Sequence, residues 1–410
     1  MDGDRAMARR IALKVAEMGG RVYYVGGLVR DEALGLESKD VDIEVHGITP
    51  RQLEEVLDSV GTRLSMGASF GILSLRGCRL DISMPRKSPE EDNGDFASGA
   101  DPFIGVTEAA RRRDFTMNAM MRDVLTGELT DPFGGLEDLK KGLIRHVDSR
   151  TFARDRLRVL RAAQFAARFS FAVAPQTRAL CASLDIGDLP FERVGEEVRK
   201  ALLRAPRPSV FFREVRAMGR MSPWFKELDG PSGEESLAYA DAAATLRGGA
   251  EQEEDLMFFS IISFLPEKSV EALLSRLTHS VRTLKYALDM RRLAGPLDVL
   301  VRRNASRDEF ALLLDTSLCP GDLTLAEKAR LLALGGDREA SALAETRLNE
   351  YRGLISRPGV TGDDLRARGI APGPQMGRAL KYARRLTLTG VPKEQALEET
   401  LRWSESTSKE

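Results

Sequence analysis

Apolar residues recur three or four positions apart at the start of the chain. In "DRAMARRIALKVAEMGG" (Asp4–Gly20), Met7, Ile11, Val15 and Met18 fall on one helical face, and Gly19-Gly20 supplies a stop. The period then shortens to two. "RVYYV" predicts a strand, "LVRDEALG" a short helix and "DVDIEVHG" a second strand. "TPRQLEEVLDSVG" returns to helical spacing, with Thr49 placed to cap it and Pro50 in its first turn. "SFGILSLRG" and "RLDISMPR" predict two more strands that meet near Gly77. The first 145 or so residues therefore mix α and β. Lys87–Asp101, polar and rich in acids and glycine, reads as a mobile loop. Beyond about residue 150 the strand signals fade. Leu, Ala, Arg and Glu dominate, broken at "APRP", "LDGPSGEE" and "SRPGVTGDD". This predicts an all-α region in two or three sub-bundles, with no repeat of fixed period.

A chain of 410 residues is too long for one compact domain. Its 42% hydrophobic and 30% charged content fits a soluble globular protein, and 6% aromatic residues favour helix over sheet. A net charge of −1 excludes a basic nucleic-acid binder as a whole, so any such surface has to be local. Cys78, Cys181 and Cys319 lie far apart, which points to neither a zinc knuckle nor a disulfide framework. Without an 18-residue apolar run or a signal-peptide core at the N-terminus, the cytoplasm is the expected location.

The chemistry concentrates in "YVGGLVRDEALGLESKDVDIEVHG" (Tyr24–Gly47). Strand side chains alternate, so Asp40 and Asp42 point to the same side. Two such carboxylates repel unless a cation sits between them, and Mg²⁺ suits their hard oxygens. Asp81, on another predicted strand, is a possible third. Taken alone, the pair reads more readily as Asp40 capping a turn and Asp42 decorating the surface. Gly26-Gly27 changes that reading, because it follows a strand and opens a helix, where backbone N–H groups can approach a phosphate. Arg30 would reach the same phosphates. The combination suggests a nucleoside triphosphate and a metal held face to face.

"VGGLVRDEALGLESKDVDIEVHG" resembles the signature of class II CCA-adding enzymes (tRNA nucleotidyltransferases) and the related bacterial poly(A) polymerases, of the polymerase-β-like nucleotidyltransferase superfamily. "RRDFTMNAM", "DPFGGLEDLKKGLIRHV", "RDRLRVLRAAQFAARFSF" and "RVGEEVRKALL" resemble later motifs of that family, in the same order. The resemblance implies an α+β fold. A nucleotidyltransferase head (1–147) with a mixed sheet would precede an all-α neck (148–230), body (231–350) and tail (351–410). It implies addition of C, C and A to the 3′ end of tRNA from CTP and ATP, with release of pyrophosphate. Two metals, held by Asp40 and Asp42, would assist in-line attack of the RNA 3′-hydroxyl on the α-phosphate. Gly27 and Arg30 would contact the triphosphate, Arg113 would add charge or touch the sugar, and Asn118 would position the ribose or support its loop.

Asp155, Arg158 and Arg161 are spaced as neighbours on one helix. Their plain reading is a solvated salt bridge. The resemblance implies instead a protein template for the incoming base. Cytosine and adenine each present an amino donor beside a ring-nitrogen acceptor, which matches a carboxylate and a guanidinium; guanine and uracil do not. The chain departs from the family pattern at Arg154, where Glu is usual, and at Gln164, where a third Arg often stands. It also lacks histidine across "SLAYADAAATLR" and "EEDLMFFSIISFLPEK", where many relatives carry an HD phosphohydrolase site. Ser263-Phe264 occupies the corresponding place, and a structural helical domain without hydrolase activity is expected. For tRNA, two basic helices stand out: one with Arg158, Arg161 and Arg168, and one in the tail with Arg378, Lys381 and Arg385. The rival readings are a CC-adding, A-adding or poly(A)-adding relative, an inactive RNA-binding protein of the same fold, and a small-molecule nucleotidyltransferase. The Lys87–Asp101 loop argues against the CC-only reading.

Overall fold

The computed structural model describes residues 2–38, 40–64, 72–86 and 99–407. Most of the Lys87–Asp101 loop lies outside the described residues. Two compact units are present, Met1–Leu189 with Arg213–Arg220, and Pro190–Phe212 with Met221–Glu410.

In the first unit the change of period becomes a change of element. The amphipathic N-terminal stretch forms α1 (Asp2–Glu17), and Ile11 and Val15 on its apolar stripe are fully buried. Strand β1 (Arg21–Val25) leads through a tight turn into α2 (Gly27–Ala33) and on to β2 (Val41–His46). Thr49 caps α3 (Pro50–Val60) through a capping box with Gln52, and Pro50 stands in the first turn as its fixed φ favours. Strands β3 (Arg63–Leu64), β4 (Ile72–Leu75) and β5 (Leu80–Ser83) follow. After α4 (Val106–Arg111) and a 3₁₀ turn at Thr116–Asn118 come β6 (Met121–Asp123) and β7 (Leu129–Thr130). Seven strands form one sheet in the order β3-β4-β5-β2-β1-β6-β7. The β2–β5 pair is parallel and its neighbours are antiparallel, so the sheet is mixed, as expected for an α+β head. Helices α1 and α3 pack together, with Leu53 and Leu57 buried, and Ile43 and Val45 bury the inward side of β2. Each such fully buried side chain is worth about 1.5–3 kcal/mol of transfer free energy.

The chain continues through α5 (Gly135–Lys140), β8 (Leu143–Ile144), α6 (Ser149–Arg154), α7 (Arg158–Phe169), β9 (Ala172–Val173) and α8 (Pro175–Ser183). The short parallel β8–β9 pair corrects the expectation that strands end before residue 150. A two-residue strand is too short to show a period in sequence.

Among the described residues, the second unit is built of helices. Phe211, Phe212 and Phe225 meet edge to face at 5.0–5.7 Å. Fully buried Asp322 accepts from the backbone of Glu251 and Gln252 and from the Tyr286 hydroxyl. At the end of the unit, helices Pro374–Leu388 and Lys393–Thr407 pack together, with Tyr382 stacked on Trp403 at 4.9 Å. Among the described residues, no helix is long and apolar enough to cross a membrane.

Candidate active site

Alternation along β2 places Asp40, Asp42, Glu44 and His46 on one side of the sheet. Asp40 is exposed just before the strand, and Asp42 is half-buried within it. Parallel pairing sets Asp42 directly beside Asp81 of β5. Burial, and then the Asp81 carboxylate, push Asp42 up from 3.8 to about 6; Arg113 opposes the rise and Asp40 adds to it. A raised value is what carboxylates sharing a site show when too little positive charge offsets them. Among the described residues no group of three His, Cys, Asp or Glu side chains forms a ready-made metal cage. The donor set fits a hard divalent ion that takes the rest of its shell from water and phosphate, as Mg²⁺ does.

The turn before α2 brings in the cation. Gly26 has φ 62° and ψ −123°, a conformation that side chains disfavour. A Cβ there would stand 3.2 Å from Arg113 Nη1. Arg113 Nη2 donates to Glu44 Oε2 at 3.0 Å, and its buried Nε has no hydrogen-bond partner among the described residues. Gly26, Arg113, Asp42 and Asp81 thus gather at one end of the sheet.

Arg30 stays close to the glycine turn, its Nη2 3.5 Å from where a Cβ on Gly27 would stand, but it is drawn into a buried network. It is 4% exposed. Nε and Nη2 donate to Asp31 Oδ1 at 2.8 and 2.6 Å, and Nη1 donates to Asn118 Oδ1 at 2.7 Å. Its guanidinium rests 5.2 and 4.9 Å from the ring centres of Phe165 and Phe169, which stack on each other. Asn118 Nδ2 in turn donates to Asp114 Oδ1, and Asp114 Oδ2 accepts from Arg161 Nε at 2.8 Å. Burial alone would push the Asp114 carboxyl up; Arg161, Asn118 and Arg158 outweigh it and hold it below the usual range. Arg168 closes the circuit on Asp31 Oδ2 at 3.4 Å.

The expectation that Asp155 and Arg158 share a helix face is corrected. Helix α6 ends at Arg154, Asp155 is extended (φ −116°, ψ 95°), and α7 begins at Arg158. Asp155 Oδ1 accepts from Leu157 N at 3.2 Å, so the aspartate starts the second helix instead of riding on it. Arg158 still feels its charge, although burial, the largest influence, lowers the guanidinium. Arg158 donates from Nη1 to Thr151 O at 2.9 Å and from Nη2 to Arg112 O at 2.7 Å. Gln164 is 2% exposed, so an arginine there would have to be buried.

The structure thus places Asp40, Asp42, Asp81, Gly27, Arg30, Arg113, Asn118, Asp155, Arg158, Arg161 and Arg168 in the first unit. Arg378, Lys381 and Arg385 belong to the second, on helix Pro374–Leu388, with Arg378 and Lys381 exposed. His46 contacts Glu44, His146 sits between Thr177 and Ser149, and His279 packs on Phe191. Sequence reasoning passed over Glu44, Asp31 and Asp114. Each lies beside or two residues from one it selected, and Glu44 continues the alternating polar row of "DVDIEVH".

Residues 22–145 match the poly A polymerase head domain family. A multifunctional CCA protein of Nitrosomonas europaea is 30% identical over 354 residues, covering 85% of this chain and 78% of that one. One from Chromobacterium violaceum is 40% identical over 214 residues, 51% of each chain. In that relative and two from Stenotrophomonas maltophilia, the match spans about half of the relative's length. The solved structure of the Thermotoga maritima CCA-adding enzyme complexed with tRNA-CCA aligns with TM-score 0.71 at 23% identity, over 97% of this chain and 95% of that one. At that identity the likeness is one of fold.

Proposed function

The chain belongs to the class II CCA-adding enzyme family, and from that premise we propose that it adds C, C and A to the 3′ end of tRNA from CTP and ATP. The RNA 3′-hydroxyl attacks the α-phosphate in line. The new phosphodiester forms as the bond to the β-phosphate breaks, and pyrophosphate leaves with that electron pair. Asp40 and Asp42, with Asp81 beside them, would hold Mg²⁺, which when bound stabilises the attacking and leaving oxygens. One observation carries this reading: Asp42, in register beside Asp81, stands within the electrostatic reach of an arginine that lies by the Gly26 turn.

The residues divide the remaining work. Gly26-Gly27 leaves room for phosphate close to the backbone. Arg113 gives the triphosphate a charged donor. Asp155 accepts from the amino group of cytosine or adenine, and Arg158 donates another of its N–H groups to the ring nitrogen. The two carbonyls that hold Arg158 aim it. Asn118 and Arg161 act through Asp114 by fixing α7, and Arg30 braces the same assembly from the side of α2. Arg168, Arg378, Lys381 and Arg385 offer charge to the tRNA backbone. The head, neck, body and tail boundaries belong to the same reading.

Incubation with tRNA ending before CCA, with tRNA-C and with tRNA-CC tests it, using single nucleotides and one-nucleotide resolution. C, C and then A, with nothing longer, is the expected pattern. Extension by C alone, by A alone or into long A tails replaces it with the narrower relatives; no incorporation overturns it.

A further inference from the structure

The row that carries Asp40 and Asp42 continues to Glu44 and His46, and these two residues are buried, at 8% and 6% exposure. A buried carboxylate two residues beyond the Asp40–Asp42 pair needs partners, because an unpaired charge gives up its hydration with nothing in return. Glu44 has two. Its Oε2 accepts from Arg113 Nη2 at 3.0 Å, and its Oε1 meets His46 Nε2 at 2.9 Å. Burial would push the Glu44 carboxyl up, but Arg113 and then His46 outweigh it and hold it low. Tyr23 faces Glu44 across β1, and its ring meets the His46 imidazole edge to face at 5.3 Å. The carboxylate is therefore clamped on both oxygens within the sheet.

Arg113 arrives from a segment 69 residues away. A free arginine side chain loses much of its rotamer freedom when it is fixed. Here one guanidinium nitrogen is fixed by Glu44, Nη1 stands by the Gly26 turn, and Nε has no hydrogen-bond partner among the described residues. Nη1 is thus held at the Gly26 turn, within electrostatic reach of Asp42, before any ligand arrives.

We propose that Glu44 is a positioning residue for nucleotide binding: backed by His46, it holds the Arg113 guanidinium ready for the triphosphate at the Gly26 turn. This rests on the nucleotidyltransferase reading. Glu44 itself touches no substrate; it acts through Arg113 alone.

The test is a double-mutant cycle of Glu44→Gln and Arg113→Ala, read as equilibrium binding of ATP and CTP with Mg²⁺ and as KM and kcat on tRNA. Thermal melts report folding. Glu44→Gln is expected to weaken nucleotide binding about tenfold and to raise KM similarly, with kcat changed less than about threefold. In the Arg113→Ala background the same change is expected to alter affinity less than about twofold. Glu44→Asp, which keeps the charge but withdraws it by one methylene, is expected to fall between wild type and Glu44→Gln, and it replaces Glu44→Gln in the cycle if that variant does not fold. Undiminished binding in a folded Glu44 variant, or additive losses in the double variant, overturns the proposal. Tight nucleotide binding without incorporation into tRNA would sink the functional reading instead, and the binding cycle would still decide the role of Glu44.

Discussion

Arg30 Nη1 donates to Asn118 Oδ1 at 2.7 Å, joining residues 88 apart in sequence. That bond is one link in a ring of charged groups joined through a single amide: Arg161, Asp114, Asn118, Arg30, Asp31 and Arg168. The ring begins and ends on α7, and Phe165 and Phe169 of the same helix stack against Arg30. Helix α2, which follows the glycine turn, is thereby held in register with the helix that begins at Arg158. A network satisfied at every link rigidifies; one missing member leaves buried polar groups to bear the full desolvation cost.

Asp114 is the hub of that ring. Asp114→Ala leaves Arg161 and the Asn118 amide without their acceptor and is expected to cost about 3 kcal/mol in urea denaturation. Asn118→Ala removes a smaller set of bonds and is expected to cost about half as much. Because the folded-state value of Asp114 is lowered, its contribution is present at neutral pH and is lost as pH falls below the usual aspartate range.

Asp42 has the opposite sign. Its value is raised from 3.8 to about 6 on folding, so the fold binds its proton more tightly than the unfolded chain does. The resulting penalty is absent below 3.8, grows as pH rises, and is complete above about 6. In EDTA at neutral pH, Asp42→Asn is expected to stabilise the fold by up to about 3 kcal/mol while abolishing activity. The gain should shrink steadily in acid. Added Mg²⁺ should stabilise wild type more than the variant.

Gly135 answers to a different constraint. A Cβ there would lie 2.2 Å from Thr116 O, the residue that opens the turn carrying Asn118. Backbone cannot yield as a flexible side chain can. Gly135→Ala is expected to lower the melting temperature by at least about 5 °C.

Arg378, Lys381 and Arg385 stand at helical spacing on Pro374–Leu388. Replacing all three with glutamine should weaken tRNA binding and flatten its dependence on salt, by about one unit of log–log slope for each phosphate that is no longer neutralised. Melting and ATP binding should stay as in wild type. An unchanged slope removes the tail from the tRNA surface.

The α+β head was legible because period and punctuation agreed. Thr49, Pro50 and the shift from helical to alternating spacing mark their elements directly. The sheet order was not, since pairing β2 with β5 and β1 with β6 joins segments separated by long stretches of chain. Asp40, Asp42 and Arg113 were legible as a set because motif spacing carried them. The burial of Arg30 was not: beside Gly27, its guanidinium also packs on Phe165 and Phe169, which are distant in sequence. Asp155 misled for a local reason. Its spacing to Arg158 is helical, but its backbone is extended in the break between α6 and α7, where its carboxylate accepts from Leu157 N.

The most direct measurement of the central claim is addition of a single A to tRNA-CC by wild type and by an Asp40→Ala, Asp42→Ala double variant, with folding and tRNA binding checked in parallel. The account predicts that wild type adds one A and that the folded double variant loses at least about a thousandfold in rate, about 4 kcal/mol of transition-state stabilisation. A double variant that extends tRNA-CC within about tenfold of wild type would contradict it.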